Sequence, residues 1–264
     1  MNLSAALQAG GLLQWAYSVY SNPATPNYDG MTYGGFSVLQ TIYANDLATD
    51  IRFIDPAKIV SMGFVARSIV SPDEFAIVIR GTIGGLEWIE NAKVIPLPFS
   101  PVPGSGLTEQ GFTNMYNSLH PTSDLSQPRL ASTLPGILGP LSANPKLTIC
   151  GHSLGGALAT LLALDVSVNI PFKTPALITF ASPMVGDPDF VNFFNAKVPN
   201  SVRIVNMADM VPKLPFPIVY KHVATENALN PGNLVKNNPL CEHSMSTYMF
   251  LLDSTNQLEP QCKP

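Results

Sequence analysis

Charged side chains are scarce in this sequence: Asp, Glu, Lys and Arg make up 12% of its 264 residues, about half the usual share. The 14 basic and 18 acidic residues give a formal net charge of −4 at pH 7. Proteins that bind nucleic acid usually carry a basic patch, and this sequence has no basic stripe. Nucleic acid is therefore not an expected partner, and the scarcity of charge predicts an unusually neutral surface.

Long uniform apolar runs are also missing. The first 28 residues have no charged side chain, but Gln8 and Gln14 interrupt their apolar run and no basic segment precedes it. We therefore expect an amphipathic helix over Ser4–Tyr20 rather than a signal peptide. No other run is long and uniform enough for a membrane span, so an integral membrane protein is not expected. The compartment stays open, since secreted and cytoplasmic proteins both fit the sequence.

Only three cysteines are present. Cys150 ends an apolar run that predicts a strand, and we expect it to be a buried thiol. Cys241 and Cys262 fit two states, a disulfide that ties the C-terminal tail to the segment around His243 or two free thiols. Clusters of metal ligands and cofactor-binding loops are absent from the sequence as well, and neither a metal nor a cofactor is expected.

Hydrophobic residues make up 46% of the chain and predict a folded globule with a substantial core. At this length, one large α/β domain or two smaller ones fit. Near-continuous apolar runs such as Phe75–Arg80 predict buried central strands. Less regular segments predict a helix or mixed element over Phe36–Asp46 and a helix within Asp124–Pro145.

Residues 151–155 read Gly-His-Ser-Leu-Gly and follow a short apolar run, Leu147–Cys150, that is typical of a strand. Good helix formers, Ala157–Leu164, come soon after. A serine on a sharp turn between a strand and a helix has its Oγ pushed out of the backbone, within reach of a base and a substrate. Such a turn leaves no room for bulk two residues to either side, and both positions are glycine. The pattern predicts Ser153 as a nucleophile.

An acyl-transfer site also needs N–H groups that hold the developing oxyanion. One comes from the residue after the nucleophile and the other from a loop after an earlier strand. Leu154 is the first candidate, and the helix that begins there adds the positive end of its dipole. Thr82 is the second candidate, because it follows the strand that ends at Arg80. The alternative for Thr82 is an ordinary strand-end turn with Gly81.

A glycine-containing segment with bulky apolar side chains follows the second donor. It fits a mobile lid, within residues 83–99, that exposes an apolar face when it opens, and it fits a fixed helix packed on the core equally well. We predict that Ile83, Leu86 and Trp88 contact substrate, with Val211 as a further contact later in the chain.

Two aspartates after the elbow, the turn that carries Ser153, lie where the chain leaves a strand. Asp187 precedes Pro188, which is typical of a helix start with a carboxylate N-cap, and we interpret it as structural. Asp209 follows the predicted strand Val202–Asn206, later than the serine and earlier than the last histidine. That is the chain order in which a triad acid is expected, so Asp209 is the predicted acid, with a plain turn aspartate as the alternative.

The base is sought among four histidines. His120 precedes the serine and is out of order, while His152, inside the elbow, faces away from the neighbouring Oγ. His222 lies in Ile218–Thr225, which alternates as a strand does, and is expected to pair within the sheet. His243 lies in an irregular stretch just before a predicted final helix, from which a neutral imidazole can reach the serine. We therefore predict His243 as the base.

Together these segments resemble the class 3 lipase family, the fungal-type lipases within the α/β-hydrolase fold. The resemblance covers roughly residues 60 to 250 and rests on motifs in the family's order and approximate spacing: Arg80-Gly81-Thr82, Gly151–Ala157, Ser182–Asp187, Asp209–Pro212 and His243-Ser244. The chain departs from the family just before Gly111, where it has Thr-Glu-Gln in place of the Val-His pair of many relatives.

The resemblance implies one α/β-hydrolase domain over residues 1–264, with a predominantly parallel sheet, flanking helices and a short lid segment. It implies Ser153, Asp209 and His243 as the nucleophile, acid and base of a catalytic triad, with Thr82 and Leu154 as oxyanion donors.

The implied activity is hydrolysis of carboxylic esters. The apolar side chains of the lid candidate favour a triacylglycerol lipase for medium or long acyl chains, so the expected partner is a lipid or other ester substrate, encountered at a lipid–water interface. A carboxylesterase or feruloyl esterase for short-chain or aromatic substrates is the alternative. An inactive lipid-binding module is the alternative of another class, although all three triad positions are filled.

Overall fold

A computed structural model describes residues 2–21, 27–45, 59–82, 95–124, 126–170, 175–215, 218–223 and 225–264. The helices in these ranges are α1 (Leu3–Tyr20), α2 (Gln110–Asn117), α3 (Leu130–Leu138), α4 (Leu154–Asn169), α5 (Pro188–Lys197), α6 (Pro239–His243) and α7 (Met245–Leu252). The strands are β1 (Thr32–Tyr33), β2 (Phe36–Asn45), β3 (Ile59–Ser68), β4 (Glu74–Ile79), β5 (Pro96–Pro98), β6 (Leu107–Glu109), β7 (Lys146–His152), β8 (Ala176–Phe180), β9 (Ser201–Asn206) and β10 (Glu226–Leu229).

The main sheet has the strand order β1-β2-β3-β4-β7-β8-β9-β10 in the described part of the chain. The strands from β4 to β10 in this order are parallel, whereas β1, β2 and β3 add an antiparallel edge. The parallel strands therefore end at one common edge, which is where open α/β sheets place their ligand sites. Thr82, Ser153 and Asp209 all follow parallel strands at this edge.

Strand β4 lies in the centre of the sheet and is an uninterrupted apolar run after Glu74. Phe75, Ile77 and Ile79 pack with α2, α3, α4 and α5 on one face, while Ala76 and Val78 pack with α1 and α7 on the other. Because neighbouring side chains of a strand point to opposite faces, a strand covered on both sides must be apolar throughout. The strand predicted there is confirmed.

Strand β2 corrects the helix or mixed element that the sequence predicts over Phe36–Asp46. Its register against β3 shifts between Val38 and Gln40 and again between Ile42 and Tyr43. These bulges move the buried positions across the sheet, so that Val38 packs on the α1 face and Ile42 on the opposite face. Bulges break the period-two alternation by which a strand is recognised, which is why the prediction was wrong.

The helix predicted within Asp124–Pro145 is shorter in the structure. α3 begins only at Leu130, because the Asp124 side chain instead accepts the Ser126 N–H in a turn. It ends at Leu138 because Gly139 has a φ of 69°, outside the helical region.

The first helix agrees with its prediction and begins one residue earlier, where the Asn2 side chain accepts the Ala5 N–H. Its buried face includes Ala9, Leu13 and Ala16, which pack on the sheet. Of the helices in the ranges given above, none has the length and apolar content needed to span a bilayer.

Cys241 and Cys262 form a disulfide, with their Cα atoms 5.2 Å apart. The bond fastens the tail of the chain to α6 and lies in a small apolar cluster with Val235 and Leu258. Cys150 is a free, buried thiol, and burial raises its pKa to about 12. The disulfide thus closes a loop between cysteines separated by 21 positions, and the segment that carries His243 lies in this loop.

Loss of this disulfide should lower stability. Closure of a loop with a separation of 21 residues contributes about 3 kcal/mol in the chain-entropy model, so Cys262→Ala should lower the free energy of unfolding in urea by about that amount. Alkylation of the denatured protein should modify one cysteine before reduction and three after it. Three modified cysteines without reduction would contradict the disulfide.

Candidate active site

Ser153 occupies the turn between β7 and α4. It is 3% exposed and has φ 57° and ψ −129°, a conformation that residues other than glycine rarely adopt. A strained serine between a strand and a helix is the nucleophile elbow geometry, in which Oγ is lifted away from the backbone.

The glycines around the serine are needed because three stretches of backbone meet here. A Cβ on Gly155 would collide with the carbonyls of Ile79 and Arg80 at the end of β4, and one on Gly151 would collide with the Gly155 carbonyl. A Cβ on Gly81 would lie 2.9 Å from the Ser153 Cβ. The end of β4 is thus pressed against the elbow, with no space for side chains between them.

Ser153, His243 and Asp209 form one hydrogen-bonded chain. Ser153 Oγ lies 2.8 Å from His243 Nε2, and His243 Nδ1 lies 2.8 Å from Asp209 Oδ2. The carboxylate accepts from Nδ1–H, which leaves Nε2 free to accept the serine proton. The three side chains that the sequence selects are therefore brought together in the arrangement that activates a serine.

The Asp209 carboxylate is held by further donors. Its Oδ1 accepts the Val211 N–H at 2.9 Å, and its Oδ2 accepts the Tyr248 hydroxyl at 2.8 Å as well as the imidazole. Burial, followed by the negative charge of Asp209, raises the pKa of Tyr248 well above its usual value, so this hydroxyl stays a donor. Asp209 itself is 1% exposed, and a buried carboxylate with several donors has one fixed orientation.

The prediction that His243 lies in an irregular stretch is wrong. His243 is the last residue of the short helix α6. The Asn238 side chain accepts the Leu240 N–H and Pro239 takes the first helical position, which is a regular helix start. Ser244 then interrupts the helix with φ −68° and ψ 143°, and α7 follows. His243 thus lies at the break between two helices, with its Nε2 directed at Ser153 Oγ.

The two predicted oxyanion donors belong to segments that meet at the serine. Leu154 is the first residue of α4, where an N–H has no partner within the helix. Thr82 follows Gly81, which touches the elbow. Among the described residues, neither the Leu154 N–H nor the Thr82 N–H has a hydrogen-bond acceptor. Their role as oxyanion donors stays a prediction.

A second hydrogen-bonded chain runs behind the serine. The Gly81 N–H donates to Tyr17 Oη at 2.7 Å, the Tyr17 hydroxyl lies 2.7 Å from His152 Nδ1, and His152 Nε2 lies 2.9 Å from the His243 carbonyl. The His243 carbonyl can only accept, so Nε2–H of His152 donates to it; Nδ1 of the neutral ring then accepts from the Tyr17 hydroxyl. Burial and the neighbouring His243 lower the pKa of His152 well below its usual value, in agreement with this neutral form.

Tyr17 and Tyr248 were not identified from the sequence. Tyr17 lies 135 residues before His152 and Tyr248 lies 39 residues after Asp209, and no local pattern links either tyrosine to the site. The orientation of His152 away from Ser153 Oγ, in contrast, agrees with the prediction.

His222 does not lie in a strand. Within the described residues of this stretch, only Lys221 forms an isolated bridge, to Gly186, and His222 Nε2 lies 2.6 Å from the Pro212 carbonyl. Burial and the positive charge of Arg203 lower the pKa of His222 to about 4, so this imidazole stays neutral and occupied with a backbone carbonyl.

Asp187 and His120, the other two residues considered as candidates, lie in structural positions. Asp187 caps α5 by accepting the Phe190 N–H at 2.8 Å, which confirms its structural interpretation. His120 is buried beside β2, where its backbone pairs with Tyr43.

The predicted substrate contacts are only partly covered by the structure. Ile83, Leu86 and Trp88 lie outside the described residues, as does most of the lid predicted within 83–99; its last part contains β5, which pairs with β6. Val211 is buried at the start of a 3₁₀ turn. Its substrate contact stays a prediction.

Comparison with known proteins gives concordant results. Residues 76–219, more than half of the chain, match the family model for lipase (class 3). Phospholipase A1-II 1 of Oryza sativa subsp. indica is 30% identical over 211 residues, which cover 71% of this chain and 53% of that protein. Secreted mono- and diacylglycerol lipase 1 of Fusarium solani is 32% identical over 174 residues, which cover 64% and 48%. The chain spans about half the length of these relatives.

A solved structure of the Rhizomucor miehei lipase propeptide complex superposes with a TM-score of 0.65 at 24% identity, covering 86% of this chain and 68% of that chain. Its fold and the mostly parallel sheet described above confirm the predicted α/β-hydrolase fold.

Removal of the Tyr17 hydroxyl should disturb Ser153 from a distance. Tyr17→Phe leaves the Gly81 N–H buried without an acceptor, which should lower the free energy of unfolding by about 1–3 kcal/mol. It should also slow modification of Ser153 by a p-nitrophenyl phosphonate roughly tenfold, because small displacements of reacting groups are costly.

Tyr116→Phe is the matched control. Tyr116 is a buried tyrosine on the other face of the sheet, and its hydroxyl donates to Asp165 Oδ2 at 2.5 Å. This variant should lose stability without slower modification of Ser153. An equal rate for wild type and Tyr17→Phe would show that the second chain does not position the serine.

Proposed function

This chain belongs to the class 3 lipase family, and on that premise we propose that it hydrolyses carboxylic esters of lipids through an acyl-enzyme on Ser153. The observation that carries the proposal is the unbroken chain from Ser153 Oγ through His243 to Asp209, with both links at 2.8 Å. Such a chain is the arrangement of a serine hydrolase, and it occurs here at a strained elbow.

In the acylation step, His243 Nε2 takes the proton of Ser153 while Oγ attacks the ester carbonyl. Asp209 holds the Nδ1–H tautomer and stabilises the imidazolium that forms. The N–H groups of Leu154 and Thr82 bind the oxyanion of the tetrahedral intermediate. His243 then returns the proton to the departing alcohol, and the acyl group stays on Ser153.

In the deacylation step, a water molecule replaces the alcohol. His243 removes a proton from this water as the water attacks the acyl-enzyme, and the same two N–H groups hold the second oxyanion. His243 then returns the proton to Ser153 Oγ, and the carboxylic acid is released. The cycle is complete with residues of this chain alone.

The substrate is proposed to be an acylglycerol with medium or long acyl chains. The apolar residues Ile83, Leu86 and Trp88 and the mono- and diacylglycerol lipase among the relatives support this choice. A glycerophospholipid is a second candidate, because relatives from rice are phospholipases A1.

Replacement of the serine should abolish turnover. Ser153→Ala should lower kcat for a p-nitrophenyl ester by about a millionfold, as loss of a triad serine does, while the fold is kept. Ser105→Ala is the control, because Ser105 is buried and its Oγ has no partner among the described residues. Activity that survives in Ser153→Ala would mean that the chain uses a different nucleophile.

The substrate class is decided by comparison of a triacylglycerol emulsion, phosphatidylcholine vesicles and p-nitrophenyl esters of increasing chain length, with Ser153→Ala as the blank for each. Faster release of fatty acid from the emulsion supports the acylglycerol, and faster release from vesicles supports the phospholipid. Turnover of short or aromatic esters alone would contradict both lipid substrates and favour an esterase.

A further inference from the structure

Arg80 is a buried arginine beside the elbow, 2% exposed, to which the mechanism assigns no role. Its Nε donates to the Ser61 carbonyl at 3.0 Å and its Nη1 donates to the Gly81 carbonyl at 2.6 Å. Among the described residues its Nη2 has no acceptor within hydrogen-bond distance and no carboxylate forms an ion pair with the guanidinium, although the Tyr28 hydroxyl also interacts with it. The two hydrogen bonds of the guanidinium thus go to backbone carbonyls, and one of these carbonyls is next to Thr82.

The Gly81 carbonyl belongs to the same peptide group as the Thr82 N–H. In a trans peptide the C=O and N–H bonds lie in one plane and point in opposite directions. A hydrogen bond that fixes the carbonyl therefore fixes the direction of the N–H too. A charged donor on the carbonyl also polarises the peptide, which makes its N–H a stronger donor.

Two tyrosines of helix α1 contact Arg80 and Gly81. The ring of Tyr20 lies against the guanidinium, with the Arg80 Cζ 3.5 Å from the ring centroid, a cation–π contact. One turn earlier in α1, Tyr17 Oη accepts the Gly81 N–H at 2.7 Å. Gly81 is thus bound through its N–H and through its carbonyl, and the orientation of the next N–H follows.

We propose that Arg80 is a positioning residue of the oxyanion site: through the Gly81 carbonyl, its guanidinium fixes and polarises the Thr82 N–H. The inference rests on the proposed ester hydrolysis. Lysine cannot substitute for Arg80, because an ammonium lacks the planar fork that reaches the Ser61 and Gly81 carbonyls together while it stacks on Tyr20.

The test compares an ester with the corresponding thionoester, in which sulfur replaces the carbonyl oxygen. Sulfur accepts hydrogen bonds weakly, so the thionoester gains less from the oxyanion donors. In Arg80→Lys, with sites counted by phosphonate titration, kcat for the ester should fall roughly ten- to hundredfold, less than the ~10²–10³-fold cost of removing a donor. KM should stay within about twofold and the thionoester kcat within about threefold of wild type, because ground-state binding and the other steps are kept.

Arg203→Lys is the matched control. Arg203 is 6% exposed, its Nε donates to the Val223 carbonyl at 2.9 Å, and its Nη2 pairs with Glu226. This variant should keep the wild-type ratio of ester to thionoester turnover even if it lowers stability.

Tyr20→Leu removes the stacking face but keeps Arg80, and it should lower the ratio of ester to thionoester turnover about threefold. This variant provides the test if Arg80→Lys does not fold.

Two results overturn the inference. One is an ester kcat per titrated site in Arg80→Lys that equals that of the wild type. If Arg80→Lys does not fold, the equivalent result is an unchanged ratio of ester to thionoester turnover in Tyr20→Leu. The other is an equal loss on ester and thionoester, which a merely structural role would produce. Absence of ester turnover in the wild type is a different result, because it contradicts the proposed function itself.

Discussion

The contact between the end of β4 and the elbow is the constraint on which the site depends. The Ile79 and Arg80 carbonyls touch Gly155, and Gly81 touches Ser153, so two segments about 70 residues apart in the chain meet backbone to backbone. Only residues without a Cβ permit this approach. It brings the segment that precedes Thr82 next to the serine that precedes Leu154.

Hydroxyl groups from the two helices on one face of the sheet bind the loops at its edge. Tyr17 of α1 joins Gly81 to His152, and Tyr248 of α7 binds Asp209. In a buried site of low dielectric, such bonds are strong when every group is paired and costly when one is not. The helices therefore have a second role besides covering the sheet, since they restrict the loops at its edge to one arrangement.

The sequence predicts the parts of the site that have a local signature. Gly-His-Ser-Leu-Gly between a strand and a helix selects Ser153, and the position after a later strand selects Asp209. The structure joins both residues to His243. Local signatures fail where tertiary contacts decide. The bulges of β2 hide its alternation, α6 is too short to give a helical period, and Tyr17 reaches His152 across 135 residues.

The central claim is that an acyl group passes through Ser153, and acid-quench mass spectrometry during turnover of a p-nitrophenyl ester tests it directly. The account predicts a burst of p-nitrophenolate that approaches one per site and an acyl group on the peptide that contains Ser153, with neither in His243→Ala. Steady turnover with no acylated peptide, or an acyl group on a different residue, would contradict the account.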